Sequence, residues 1–179
     1  SAHGEILLEK NVEYNFRAEF RGLAYAKLGW DADLYGMIPQ AVAAAKKADA
    51  IIAVVGMFDD ENGDRGCLDL DPAQEKLILD LAALNKPMVV VIQTGTVITA
   101  YKWADQVPAI LMAWYPGEEG GNAIAQTLFG DNNPGGKLPI TFPKVTGQVP
   151  LTYNLLPGRP SDVYWDYGNE PLFCFGHGL

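Results

Sequence analysis

The sequence predicts an α/β fold: a three-layer sandwich with a mainly parallel sheet and helices on both faces, joined to a short N-terminal antiparallel β segment. Three observations carry this. Three short apolar runs, residues 50–56, 88–92 and 109–113, alternate with stretches of helical periodicity, the arrangement of strand and helix that produces parallel sheets with right-handed crossovers. Each run is apolar throughout, as in strands buried on both faces. The first thirty residues instead alternate apolar and polar with period two, which places one face in a core and leaves the other wet.

In chain order, Ile6-Leu7-Leu8 is a short apolar run. Val12, Tyr14, Phe16, Ala18 and Phe20 then alternate with Glu13, Asn15, Arg17, Glu19 and Arg21, as in an antiparallel hairpin. Leu23 to Leu28 extends the apolar character towards Trp30. Two or three strands make a poor domain alone, so this segment needs a surface to pack on. Ile38, Ala41, Val42 and Ala45 recur at helical spacing, with Lys46 and Lys47 in the last turn, where cations suit the helix dipole. They predict a helix over 38–48 that feeds the strand Ala50 to Gly56.

After that strand comes an acidic loop, and then Asp71 as N-cap and Pro72 near a helix start, with Leu77, Ile78, Leu81 and Leu84 as the apolar face. Asn85-Lys86-Pro87 ends the helix. Met88 to Ile92 is the second strand, closed by Thr94-Gly95; Val97 to Trp103 reads as a short helix, Ala109 to Ala113 as the third strand, and Asn122 to Phe129 as a further helix. Lys137 to Pro143 is an extended piece whose flanking prolines restrict it to a sheet edge. The Tyr-, Trp-, Pro- and Gly-rich remainder reads as a long connection wrapping the sheet.

The 179 residues fit one domain, or a domain plus a fragment, and a 49% hydrophobic content supports a real core. The formal charge of -9 argues against nucleic acid and anionic membranes, which need a basic footprint. Cys67 and Cys174 are too few for a disulfide framework and lack zinc-ligand spacing. With Ser1 and Ser161 as the sole serines there is no nucleophile elbow, and neither a P-loop nor a G-x-G-x-x-G fingerprint occurs. The residues suggest neither a metal site nor a cofactor.

The informative stretch is Asp59-Asp60-Glu61-Asn62-Gly63-Asp64-Arg65, at the carboxyl end of the first buried strand, where ligands bind in open α/β sheets. Carboxylates this close repel one another and raise the pKa of the least solvated, as a general acid near neutral pH requires. A solvated acidic turn explains the same composition, and a calcium loop is a third reading whose spacing does not fit an EF-hand.

Six linked stretches carry a family resemblance: Ala48-Asp49-Ala50; Gly63-Asp64-Arg65 with Leu68, Leu70 and Gln74; Trp114 through Gly121; Leu128 through Asp131 with Asn133-Pro134; Lys137-Leu138-Pro139 with Thr141-Phe142-Pro143; and Phe175 through Leu179. Their order and spacing over residues 38 to 179 resemble the C-terminal domain of family 3 glycoside hydrolases, the β-glucosidase and β-xylosidase family. More weakly, residues 1–31 resemble the end of a PA14-like carbohydrate-binding insert. The resemblance implies that residues 32–179 form the sandwich domain without its first strand and helix.

It further implies a retaining, exo-acting β-glycosidase. Its Asp nucleophile lies on a (β/α)8 barrel outside this chain, and its general acid/base comes from the acidic loop. Carried over, that role falls on Glu61, with Asp59 and Asp60 as alternatives because many members place a Glu at those positions. Asp59 and Asp60 are also expected at the substrate pocket, and Asp64 with Arg65 as a charge pair bracing the loop. The expected partners are a β-linked glucoside or oligosaccharide and the barrel, with no cofactor, nucleic acid or membrane, and the resemblance favours a secreted or periplasmic location. The isolated chain is expected to be inactive. The alternative is a non-catalytic carbohydrate-binding or interaction module on the same scaffold.

Overall fold

A computed structural model describes residues 34–59, 61, 63, 65–154 and 166–179, and the expected N-terminal antiparallel segment lies outside them. The chain divides into two compact units, of which the second spans Asp33–Leu179. Its described part is an α/β sandwich built on a three-stranded parallel sheet of order β1-β2-β3, with β1 Ile51–Gly56, β2 Met88–Gln93 and β3 Ala109–Met112. The helices are α1 Leu34–Ala45, α2 Pro72–Ala82 and α3 Gly120–Phe129.

All three apolar runs become strands, but only the central one is buried on both faces as their composition suggests; β1 is buried on one face and β3 is at most half-buried. In register, Ile51 lies beside Met88 and Gly56 beside Gln93, while Val89 lies beside Ala109 and Ile92 beside Met112. The central strand is buried on both faces, with Val90, Val91 and Ile92 nearly inaccessible. Ile51, Ala53 and Val55 of β1 point into one core with Ile78 and Leu81 of α2, Val90 and Ile92 of β2, and Leu70, Ile98 and Trp103 from the loops. Each of the Val, Leu and Ile side chains contributes about 1.5–3 kcal/mol by leaving water. The opposite face of β1 is different: Ile52 and Val54 are 50% and 58% exposed.

Helix α2 starts as its sequence dictates, with the Asp71 carboxylate accepting from the Ala73 N–H at 2.8 Å and Pro72 in the first turn. Helix α3 begins two residues earlier than its periodicity suggests and stops at Gly130, whose φ of 84° is the left-handed cap geometry that glycine adopts without a Cβ clash. Helix α1 runs over 34–45 rather than 38–48, with Pro39 inside it. Its C-terminal carbonyls are met by a distant cation: the Lys86 ammonium donates to the carbonyls of Ala45 at 3.0 Å, Lys46 at 2.7 Å, and Ala48.

Two expected elements take other forms. Residues 97–103 do not form a helix: the Thr99 N–H donates to the Leu68 carbonyl at 2.9 Å and Asp69 bridges Thr99 in parallel, so the chain stays extended until a turn leads to the 3₁₀ segment Ala104–Gln106. Residues 137–143 form no strand. They pair with the C-terminal tail instead, through an antiparallel bridge between Phe142 and Phe173 and a Leu138 N–H donated to the His177 carbonyl at 2.9 Å. Buried Gln148 ties down the same tail, accepting from the Lys144 N–H at 2.6 Å and donating to the Gly168 carbonyl at 3.0 Å.

Candidate functional site

The three parallel strands end side by side, and the chain leaving each contributes to one cluster around Asp59. From β1 comes Asp59 itself, three residues past Gly56. From β2 come Thr94, whose hydroxyl donates to Asp59 Oδ2 at 2.6 Å, and Gly95, whose N–H donates to the same oxygen at 2.9 Å. From β3 comes Tyr115, whose phenolic oxygen accepts the Asp59 N–H at 2.7 Å. Arg65 closes the far end of the acidic loop, its Nε donating to Asp59 Oδ1 and its terminal nitrogen to the Phe58 carbonyl.

The electrostatics follow. Burial pushes the Asp59 carboxyl up, but the hydrogen bonds from Thr94, Arg65 and Gly95 and the charge of Arg65 outweigh it, so its pKa is lowered. Its side chain is 8% exposed. Both its oxygens are already engaged as acceptors. Glu61 is exposed, two positions beyond this anchor and four before Arg65. Asp60 and Asp64 lie outside the described residues, so the ion pair seen at this loop is between Arg65 and Asp59, six positions apart.

Sequence reasoning missed Thr94, Gly95 and Tyr115 as partners of Asp59. The signal was available: all three directly follow apolar runs that a parallel sheet places next to one another, with loops gathered at the carboxyl ends. Two local features show how tightly they are set. A Cβ on Gly95 would stand 2.8 Å from Cε2 of Tyr115 and 3.4 Å from Cβ of Asp59, so only glycine fits without displacing the ring. Trp114 adopts φ 55°, a left-handed conformation that costs a bulky residue about 1–2 kcal/mol. Its ring packs edge-on against buried Phe142 at 6.2 Å, which fixes the strained turn that presents Tyr115.

Beyond Arg65 the loop is fastened a second time. The Thr99 hydroxyl donates to Asp69 Oδ1, and the Lys102 ammonium donates to Asp69 Oδ2 at 2.7 Å and to Glu75 at 3.1 Å. For Asp69, burial raises the pKa but the bonds from Lys102 and Thr99 prevail and lower it, while Lys102 is raised, chiefly by its bond to Asp69. Between these fastenings lies an open cleft of about 520 Å3, lined among others by Met57, Phe58, Arg65, Asp69, Gln74 and Lys102. Phe58 and Arg65 flank Glu61 in the chain; Glu61 does not itself line the cleft. Cys67, also on this wall, and Cys174 are free thiols. His177 stacks on Phe173 at 5.1 Å. Among the described residues no group of three or more His, Cys, Asp or Glu is gathered as a metal site, and no helix is long and apolar enough to cross a membrane.

The sequence profile described as the glycosyl hydrolase family 3 C-terminal domain matches residues 8–179. The chain belongs to that family. Relatives of the family 3 domain include a periplasmic beta-glucosidase of Salmonella typhimurium, 44% identical over 156 residues that make up 80% of this chain and 20% of the relative. A beta-xylosidase of Formosa agariphila is 41% identical over 163 residues, 87% of this chain and 22% of the relative. Among solved structures, a β-glucosidase of Erythrobacter marinus is 40% identical with a TM-score of 0.73, covering 80% of this chain and 20% of that one. The beta-glucosidase of Listeria innocua reaches a TM-score of 0.75 at 30% identity, covering 87% and 23%. The family 3 domain thus spans about one fifth of the length of the relatives it matches.

Proposed function

We propose that this domain supplies the general acid/base of a retaining β-glycosidase, and that the acid/base is Glu61. The observation that carries the reading is the division of labour in the loop. Asp59 is consumed as an acceptor by Thr94, Gly95 and Arg65 and has a lowered pKa, which suits an anchor and unsuits a proton donor. Two positions on, Glu61 is exposed, in reach of a body facing the loop.

That body is a (β/α)8 barrel carrying an Asp nucleophile, with the two carboxyl groups about 5–5.5 Å apart across the glycosidic bond. The substrate is a β-linked glucoside or oligosaccharide, in keeping with the β-glucosidase and β-xylosidase names of the relatives. Glu61 protonates the departing alcohol while the nucleophile attacks the anomeric carbon. It then takes the proton from the water that releases the sugar. The bare Ile52 and Val54 support a sheet completed by a further strand and helix. The periplasmic relative supports an exported enzyme.

The test is E61Q in the enzyme that unites this domain with its barrel. With aryl β-glucosides of poor leaving groups the rate falls by about 10²–10⁴, and with the 2,4-dinitrophenyl glucoside, which leaves unprotonated, azide restores turnover by attacking the glycosyl-enzyme in place of the water that has lost its base. Unchanged kinetics without azide rescue would instead point to a carbohydrate-binding module that keeps the scaffold only.

A further inference from the structure

We infer that the Tyr115 hydroxyl is a positioning element for the acid/base loop, acting through the main chain of Asp59. The inference rests on the reading of Glu61 above. The phenolic oxygen accepts the Asp59 N–H at 2.7 Å and lies 3.2 Å from the Asp59 carbonyl and 3.4 Å from that of Met57, so its own proton has an acceptor within reach. One hydroxyl thereby grips the backbone two residues before Glu61.

Two features are spent on this grip, and a third works beside it. The strained φ of Trp114 directs the next residue towards β1. The missing Cβ of Gly95 leaves room for the ring. The Asp59 side chain is locked separately by Thr94, Gly95 and Arg65, so the hydroxyl sets the backbone while the carboxylate closes the loop. The Tyr115 side chain is itself half exposed, which gives it little packing value and makes the polar contact its main contribution.

A loop closed at Asp59 and Arg65 carries Glu61 on a span whose take-off direction Tyr115 decides. Acid catalysis depends steeply on such geometry, because a displacement of about 1 Å can cost about 10²-fold. Tyr115 touches neither substrate nor reacting atoms in this scheme.

The test uses Y115F, G95A and E61Q in the barrel-containing enzyme, with aryl β-glucosides of graded leaving-group acidity. For Y115F, kcat/KM falls about ten- to a hundred-fold with phenyl β-glucoside and stays at the wild-type value with the 2,4-dinitrophenyl glucoside, which needs no protonation to leave. The basic limb of its pH profile shifts, and azide gives no rescue. G95A, which pushes the ring aside, reproduces this pattern. A loss equal for all leaving groups, or none, in Y115F and G95A while E61Q is rescued by azide overturns the inference alone. An E61Q enzyme that azide does not rescue overturns the reading of Glu61, and the positioning role falls with it.

Discussion

The side-chain amide of Gln74 brackets the backbone of Gly56: it donates to the Gly56 carbonyl at 2.9 Å and accepts the Gly56 N–H at 2.8 Å. These are the two bonds an adjoining strand would make, and they come from the first turn of α2. The end of β1, from which the acidic loop departs, is thus pinned by a residue eighteen positions downstream. Q74A leaves a partly buried donor and acceptor unpaired and is expected to cost about 1–3 kcal/mol. Urea unfolding measures it, and Gly56 amide exchange accelerates by more than that of Val90.

Gly56 tests the same junction sterically. A Cβ there would sit 1.8 Å from the Gln93 carbonyl oxygen, a backbone atom of the paired strand. G56A is expected to lose about 3 kcal/mol or to yield no folded protein, whereas G121A, where a Cβ meets nothing and the backbone is helical, keeps or slightly raises the unfolding midpoint.

Asp59 gives a pH signature whose sign is fixed. Its folded pKa is lowered, so folding favours the ionised form, and the resulting stability is fully present above the unfolded value of about 3.9. It is lost as pH falls through the lower folded value. D59N is therefore less stable than wild type at neutral pH, and the gap closes below about pH 4. Urea midpoints from pH 2.5 to 7 check this; a gap constant with pH would refute the assignment.

The Lys102 cluster separates exposed from buried partners. Lys102 is more than half exposed, so K102M is expected to cost less than about 1 kcal/mol, with the difference shrinking in high salt. Thr99 is buried, and T99V removes a hydroxyl donor from Asp69, costing about 1–2 kcal/mol at any salt concentration. Chemical denaturation at low and high ionic strength distinguishes the two.

The central strand was readable because burial on both faces demands a continuous apolar run, and Val90, Val91 and Ile92 satisfy that demand without tertiary information; the run of β1 is as apolar but is buried on one face only. The start of α2 was readable because capping is local, as the Asp71–Ala73 bond shows. Residues 97–103 were misread because Val97, Ile98 and Thr99 are β-branched and Thr99 finds Leu68 and Asp69 some thirty positions away; long-range pairing outweighed local spacing. At the site, the position of the acidic loop was legible from strand and turn chemistry. The partners of Asp59 were legible only by way of the expected parallel sheet, since Thr94 and Tyr115 stand 35 and 56 residues distant and it is the strand order that brings them to one end.

The uncovered side of β1 has a consequence for handling the protein. Ile52 and Val54 stand half in water on a strand that, among the described residues, ends the sheet, and such a border recruits whatever extended backbone comes near it. Prepared at high concentration, the polypeptide should therefore clump. Lysine at position 54 should keep it dispersed, as light scattering would register.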